Sequence, residues 1–149
     1  MNIRKYSQRD HQQILAIYSA SKLDELRYEN TAFELLSLDK DKKRLAQLVE
    51  SEIYIYETNT VIGFCAYFGS EIRALFVHPN ARGKGIGVSL LEFMLSHIKG
   101  EATLYVAASN YPAINLYQKY GFRITSEFQT TYNKQNVLAN KMEQLLIND

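Results

Sequence analysis

The sequence predicts an α/β fold built on one mixed sheet, and three observations carry that prediction. The hydrophobic period switches repeatedly between strand-like alternation and helical spacing, three β-rich runs follow one another between residues 53 and 77, and two long strand-like segments close the chain. Read in order the elements are β-α-α-β-β-β-α-β-α-β-β, about seven strands and about four helices. At 149 residues the chain suits a single domain over 1–149, large enough to bury its own core.

Residues 2–6 suit a short strand, after which Asp10 caps a helix carrying Ile14, Leu15, Ile17 and Tyr18 on one face. A looser stretch over 22–37 follows. Within it Asp24, Glu25 and Glu29 read as the solvated side of a frayed helix, with attraction of a cationic ligand as the other reading. A second helix is predicted over 39–51, with Leu45, Leu48 and Val49 inward and the run DKDKKR in solvent. The β-rich runs 53–56 and 61–68 flank the polar turn ETNT, a hairpin pattern, and Gly69-Ser70 breaks the chain before the strand EIRALFV, 71–77. Helical spacing returns at Ile86, Leu90, Met94 and His97, then come a strand over 103–107 and a short helix over 110–120. The closing segments, 122–132 and 137–147, join around Asn133 and Lys134.

Seventeen basic against sixteen acidic residues leave a formal charge of +1, so neither nucleic acid nor an anionic membrane is an expected partner. The N-terminal residues MNIRKYSQRD lack a signal-peptide core, and no run approaches the roughly eighteen apolar residues of a membrane span, so a cytoplasmic protein is expected. Cys65 stands alone in VIGFCAYF and reads as a buried, inert thiol. His11 and His97 have no partners at metal-ligand spacing, and no metal is expected.

The chemistry lies in LFVHPNARGKGIG, 75–87, which places three of the seven glycines at alternate positions between a strand and a helix. The first turn of a helix has unpaired N–H groups, and glycine lets a phosphate approach them without a Cβ in the way. The spacing fits neither a dinucleotide fingerprint nor a P-loop: Val88 or Leu90 stands where the third glycine belongs, and Lys84 is followed by Gly85. A glycine loop that merely turns the chain is the remaining structural reading.

Arg-Gly-Lys-Gly-Ile-Gly, after an apolar strand and Pro79, resembles motif A of the GNAT superfamily of acetyl-CoA dependent N-acetyltransferases, Q/R-x-x-G-x-G/A, with Arg82, Gly85 and Gly87 at the signature positions. A second block, ASNYPAINLYQKYGF, resembles the superfamily's N-x-x-A-x-x-L-Y-x-x-x-G-F through Asn110, Ala113, Leu116, Tyr117, Gly121 and Phe122. The resemblance implies a single-domain GNAT fold whose sheet is splayed between the fourth and fifth strands. It implies coenzyme A with its pyrophosphate on the main chain of Arg82, Gly83, Lys84, Gly85, Ile86, Gly87 and Val88. Pantetheine would pair with Leu75, Phe76 and Val77, and Asn110 would bind the pantetheine arm, cap the following helix, or do both.

Acetyl transfer to an amine requires a neutral nucleophile, a donor for the developing oxyanion and a proton for the leaving thiolate. An N–H at or near Val77 is the expected oxyanion donor. Tyr117 stands where the superfamily commonly places the acid for the sulfur, its other reading being a core tyrosine among eleven. Glu71 lies eleven residues before Arg82, the spacing of the base in the histone acetyltransferase branch, and otherwise reads as a solvated strand-end carboxylate. His78 is a rival base or a loop residue against Pro79. Tyr105 stands where the branch acting on ribosomal-protein N-termini carries glutamate. The implied function is transfer of acetyl from acetyl-CoA to a primary amine of a small molecule, peptide or protein by direct attack in a ternary complex. The alternative is a catalytically weak acyl-CoA sensor. Residues 20–38 and 128–136 are the expected acceptor walls, and the superfamily's habit allows a homodimer.

Overall fold

The computed structural model describes residues 2–145. Its elements follow the predicted order: β1 (Ile3–Lys5), α1 (His11–Ser21), α2 (Lys42–Val49), β2 (Glu52–Glu57), β3 (Val61–Phe68), β4 (Glu71–Val77), α3 (Ile86–His97), β5 (Thr103–Ala107), α4 (Tyr111–Gln118), β6 (Phe122–Tyr132) and β7 (Gln135–Gln144). Positions 146 and 147 of the predicted last strand lie outside the described residues.

The seven strands form one sheet in the order β1-β2-β3-β4-β5-β7-β6, and β4–β5 is its parallel pair. β3 is apolar on both sides because both sides are covered: Phe64 and Ala66 turn toward α1, and Cys65 between them turns toward α3. Burial pushes the Cys65 thiol up to about 12, so it stays protonated and inert at neutral pH, as expected. α1 buries Ile14, Ile17 and Tyr18 on one face, and α3 buries Ile86, Leu90, Leu91 and Met94 on the other. Gly63 sets the spacing of α3 from the sheet. A Cβ there would come 3.1 Å from the Phe76 carbonyl oxygen and 3.3 Å from Leu90 Cδ1.

The β4–β5 pairing is short. Glu71 sits opposite Thr103, Thr103 N donates to Ser70 O at 2.9 Å, and beyond that point the strands diverge, giving the splay that the resemblance implied. β4 also carries a bulge. Its pairing with β3 passes from Ala66 opposite Ala74 to Tyr67 opposite Ile72, leaving Arg73 as the extra residue, and a bulge sharpens local twist. At the far edge, β6 and β7 turn through Asn133 and Lys134, both at positive φ (48 and 69), the backbone that a two-residue hairpin demands.

Three details of the first half differ from expectation. α2 begins at Lys42, three residues late, because Leu38–Lys40 forms a separate 3-10 turn and Asp41 becomes the cap, accepting from Arg44 N at 3.3 Å. Asp41 is therefore buried instead of solvated. The apolar stripe of α2 centres on Leu48, and Val49, about 100° further round the helix, is 69% exposed. Asp10 precedes α1 but does not bond to its first turn. Its carboxylate accepts Ser7 N at 2.8 Å and a two-pronged Arg4 guanidinium at 2.8 and 2.9 Å.

The Arg4 bond, more than the others, holds the Asp10 carboxyl down at about 2. The folded value lies below the ordinary value of about 3.9, so this stabilisation is complete above that pH and is lost as pH falls toward the folded value. Asp10→Asn is expected to lower the melting temperature at neutral pH and to flatten its acid fall. A melting-temperature series through the acid range with the wild-type slope in the variant would contradict this.

Candidate active site

The divergence of β4 from β5 leaves main-chain groups without a strand partner. His78 N donates to Ile62 O at 2.8 Å, so the alternation along this antiparallel pair puts Phe76 in hydrogen-bonding register with Phe64 and turns the N–H and C=O of Leu75 and Val77 to the open edge. The triplet expected to meet pantetheine is thereby divided. Leu75 and Val77 offer free groups, whereas the main chain of Phe76 is committed to β3 and its ring packs on Phe64 and Tyr18 at 5.3 and 5.2 Å.

The chain leaves β4 through a 3-10 turn, Pro79–Ala81, capped by His78 Nδ1, which accepts from Asn80 N at 3.1 Å. His78 is thus a turn-forming residue. Gly83 and Gly85 then adopt φ of 80 and 77, the left-handed region, and a Cβ on either would project into open space. Gly85 caps α3, and Ser89 N closes the first turn on Gly85 O at 3.0 Å, leaving the preceding N–H groups of that turn unpaired. Ile86 sends its side chain into the core and offers only main chain. Gly87 is a different case: its φ is ordinary, and a Cβ would make a normal 3.7 Å contact with Val77. A hollow of about 400 Å³ opens beside this loop, lined by Val77, Arg82, Gly83, Gly85, Gly87 and Val88 among others. Lys84 is not part of that lining, and Arg82 reaches across to Asp24 Oδ2 at 2.5 Å.

A larger cleft of about 800 Å³ lies between the splayed strands. The two hollows share Glu25, Leu75, Phe76, Asn110, Ala113 and Tyr117. Asn110 caps α4, its side chain accepting from Ala113 N at 3.5 Å, and it faces both hollows. Tyr117 is half-buried with its ring 5.7 Å from that of Phe122. Burial, and then the Glu25 carboxylate, push its hydroxyl above the ordinary tyrosine range, which keeps the proton available. Glu71 lines the same cleft at its closed end, one-third exposed, and accepts from Arg73 Nε at 3.4 Å. Tyr105 is an exposed wall residue set edge-on to Phe128 at 5.7 Å.

The acidic cluster after α1 is partly exposed, and each of its carboxylates has a partner. A 3-10 turn, Lys22–Leu26, extends α1 across the mouth of both hollows. Asp24 binds Arg82, Glu25 binds Lys22 Nζ at 2.8 Å, and Glu29 accepts from Ser109. The spacing K-x-x-E is the one signal that could have placed Lys22 and Glu25 together, since side chains three apart eclipse in a 3-10 turn. The expected acceptor walls do meet: Tyr132 from β6 packs with Leu26, Leu36 and Phe33, and its hydroxyl accepts from Leu36 N at 2.8 Å.

A splayed sheet with a glycine turn at a helix mouth and two confluent hollows has room for two ligands to meet. A family model described as "Acetyltransferase (GNAT) domain" matches residues 49–124. Peptidyl-lysine N-acetyltransferase YjaB of Salmonella typhimurium is 30% identical over 129 residues, 84% of this chain and 85% of that protein. Among solved structures, a GCN5-related N-acetyltransferase from Rhodopseudomonas palustris superposes with a TM-score of 0.78 at 19% identity, covering 97% of this chain and 94% of that one. YncA of Salmonella typhimurium, a structure described as holding its cofactor acetyl-CoA, superposes with a TM-score of 0.72 at 20% identity over 100% and 95% of the two chains. This chain belongs to the GNAT acetyltransferase family, and it is an acetyl-CoA dependent N-acetyltransferase.

The loop geometry makes one position decisive. Gly85→Asp places a side chain on left-handed backbone and a negative charge at the helix mouth, against both sterics and the helix dipole. Acetyl-CoA binding, followed by calorimetry, is expected to fall below detection while circular dichroism still reports the folded sheet; wild-type affinity in that variant would rule the loop out as the anion cradle.

Proposed function

We propose that the acceptor is the side-chain amine of a lysine in a peptide or protein, and that it meets the acetyl donor where the two hollows join. The observation that carries this reading is the junction itself: unpaired main chain at Leu75 and Val77, a protonated Tyr117 hydroxyl and the Glu25 carboxylate, with Glu71 further along the larger cleft. The similarity to the peptidyl-lysine N-acetyltransferase supports the acceptor class.

The residues fit acetyl-CoA: a Cβ-free cradle at Gly83 and Gly85, unpaired amides at the start of α3, and an open strand edge at Leu75 and Val77. When bound, it supplies acetyl as an activated thioester. The amides of 82–88 would hold its pyrophosphate, with Arg82 released from Asp24 to add a cation. Leu75 and Val77 would bind the pantetheine amides, with the side-chain amide of Asn110 opposite them. Val77 N–H is the donor to the acetyl carbonyl oxygen. Tyr117 gives its proton to the departing sulfur, and Glu71, held by Arg73 at the closed end of the cleft, takes the amine's proton through intervening water. The formal charge of +1, and the lack among the described residues of any helix long and apolar enough to cross a membrane, support a soluble, cytoplasmic setting.

A thiol-release assay over lysine peptides, N-terminal amines and free small amines tests the acceptor. Lysine peptides should give the highest kcat/KM; preference for small free amines would overturn the peptidyl reading. Tyr117→Phe is expected to lower kcat about 10²-fold with acetyl-CoA affinity retained. Because that hydroxyl stays protonated far into the alkaline range, kcat/KM should rise with pH toward the amine's own value of about 10.4, with no descending limb from Tyr117. Glu71→Gln should lose turnover, keep acetyl-CoA affinity and alter the acid limb of the pH–rate profile. An unchanged acid limb would remove Glu71 from the proton path.

A further inference from the structure

One lysine of the chain already sits in the acceptor cleft. Lys22 opens the 3-10 turn beyond α1, its side chain is only 12% exposed, and it lines the cleft together with Tyr117 and Glu71. Its ammonium lies 5.5, 5.7 and 5.9 Å from the ring centres of Tyr132, Tyr18 and Phe76, and 2.8 Å from Glu25 Oε2. Three aromatic faces and a carboxylate are surroundings suited to an alkylammonium. Phe76 stands between the two residues whose main chain faces the open strand edge, and Glu25 borders both hollows, so the Lys22 amine lies next to the junction.

A second observation is independent of the first. Tyr18 is 4% exposed and lines the same cleft, yet its hydroxyl has no hydrogen-bond partner among the described residues. An unpaired buried hydroxyl is costly, and the neighbouring ammonium, which can only donate, leaves the Tyr18 proton unused. An amide carbonyl at the end of the Lys22 side chain would accept it.

We propose that Lys22 is a self-acetylation site, modified in cis, and that acetylation frees the Glu25 carboxylate to pair with an external ammonium. The inference rests on the reading that acetyl-CoA occupies the adjacent hollow. The ammonium passes one proton through Glu25 to solvent. The neutral Nζ then bonds to the acetyl carbon as the C–S bond breaks. The sulfur leaves as a free thiol with the Tyr117 proton, which is replaced by the second proton lost from Nζ. The products are an Nζ-acetyl-lysine, coenzyme A and one proton, and the loss of charge breaks the Lys22–Glu25 pair.

Purified protein is incubated with acetyl-CoA and no acceptor, and acetylation is located by peptide mass spectrometry while calorimetry on the same sample records acetyl-CoA binding. The expected result is one added acetyl group at Lys22, at a rate independent of protein concentration, with the exposed Lys84 and Lys134 unmodified and Lys22→Arg gaining none. Binding without modification of Lys22, or acetylation spread evenly over exposed lysines, would overturn the inference and leave the acetyltransferase reading intact. Absence of binding would overturn both. Lys22→Gln, a neutral stand-in for the acetylated residue, should bind a lysine peptide about threefold to fivefold more tightly by calorimetry than Lys22→Arg. Equal affinities would overturn the claim that acetylation opens the site.

Discussion

The sheet of this enzyme depends on a pairing that is allowed to fail. β4 and β5 hold together at Glu71 and Thr103 and then part, which leaves strand main chain facing a cleft instead of a neighbour. Unpaired backbone groups away from water are expensive, so such an edge persists only where something else can satisfy it. The surrounding sheet supports the opening. β5 is held from its other side by β7 along its whole length, and β4 is held by β3, so the gap cannot close by one strand sliding across. The bulge at Arg73 and the close seating of α3 over Gly63 then set where β4 ends and where the helix mouth lies.

The turn beyond α1 links the two halves of the site. Lys22–Leu26 covers the confluence, and its successive side chains point to different elements: Asp24 to the glycine loop through Arg82, Glu25 to Lys22 and toward Tyr117. The Asp24–Arg82 pair is exposed enough to be worth little in stability. An anion arriving at the loop competes for the same guanidinium, so this contact can yield without cost to the fold. Lys22 is far less exposed and lies among three rings in the cleft wall.

The glycine-loop half of the candidate site was legible from the chain because its constraints are local. Left-handed backbone at Gly83 and Gly85, a helix beginning at Ile86 and a cap at Asn110 each depend on residues within a few positions, and two short motifs record them. Tyr117 and Glu71 were located by motif spacing, and the fold brings them to one cleft. The cleft wall under the turn beyond α1 was visible only as two stretches of chain. Glu25 looked like surface because nothing local reveals that a 3-10 turn will carry it over the cleft, and Tyr132 reaches Leu36 across 96 positions. Asp41 turned inward because α2 begins three residues late, and Val49 faces solvent because the apolar stripe centres on Leu48, about 100° away.

By itself the sequence determined the order of strands and helices and the side-chain-free turn at Gly83 and Gly85, since hydrophobic period and glycine conformation are properties of neighbouring residues. Tertiary structure alone decided which of Leu75, Phe76 and Val77 has main chain to offer, because that depends on strand register, set by pairing with a different part of the chain. It also decided that Lys22 and Glu25 face inward. Their environment is made by side chains from α1, β4 and β6, and no segment shorter than the whole sheet contains it.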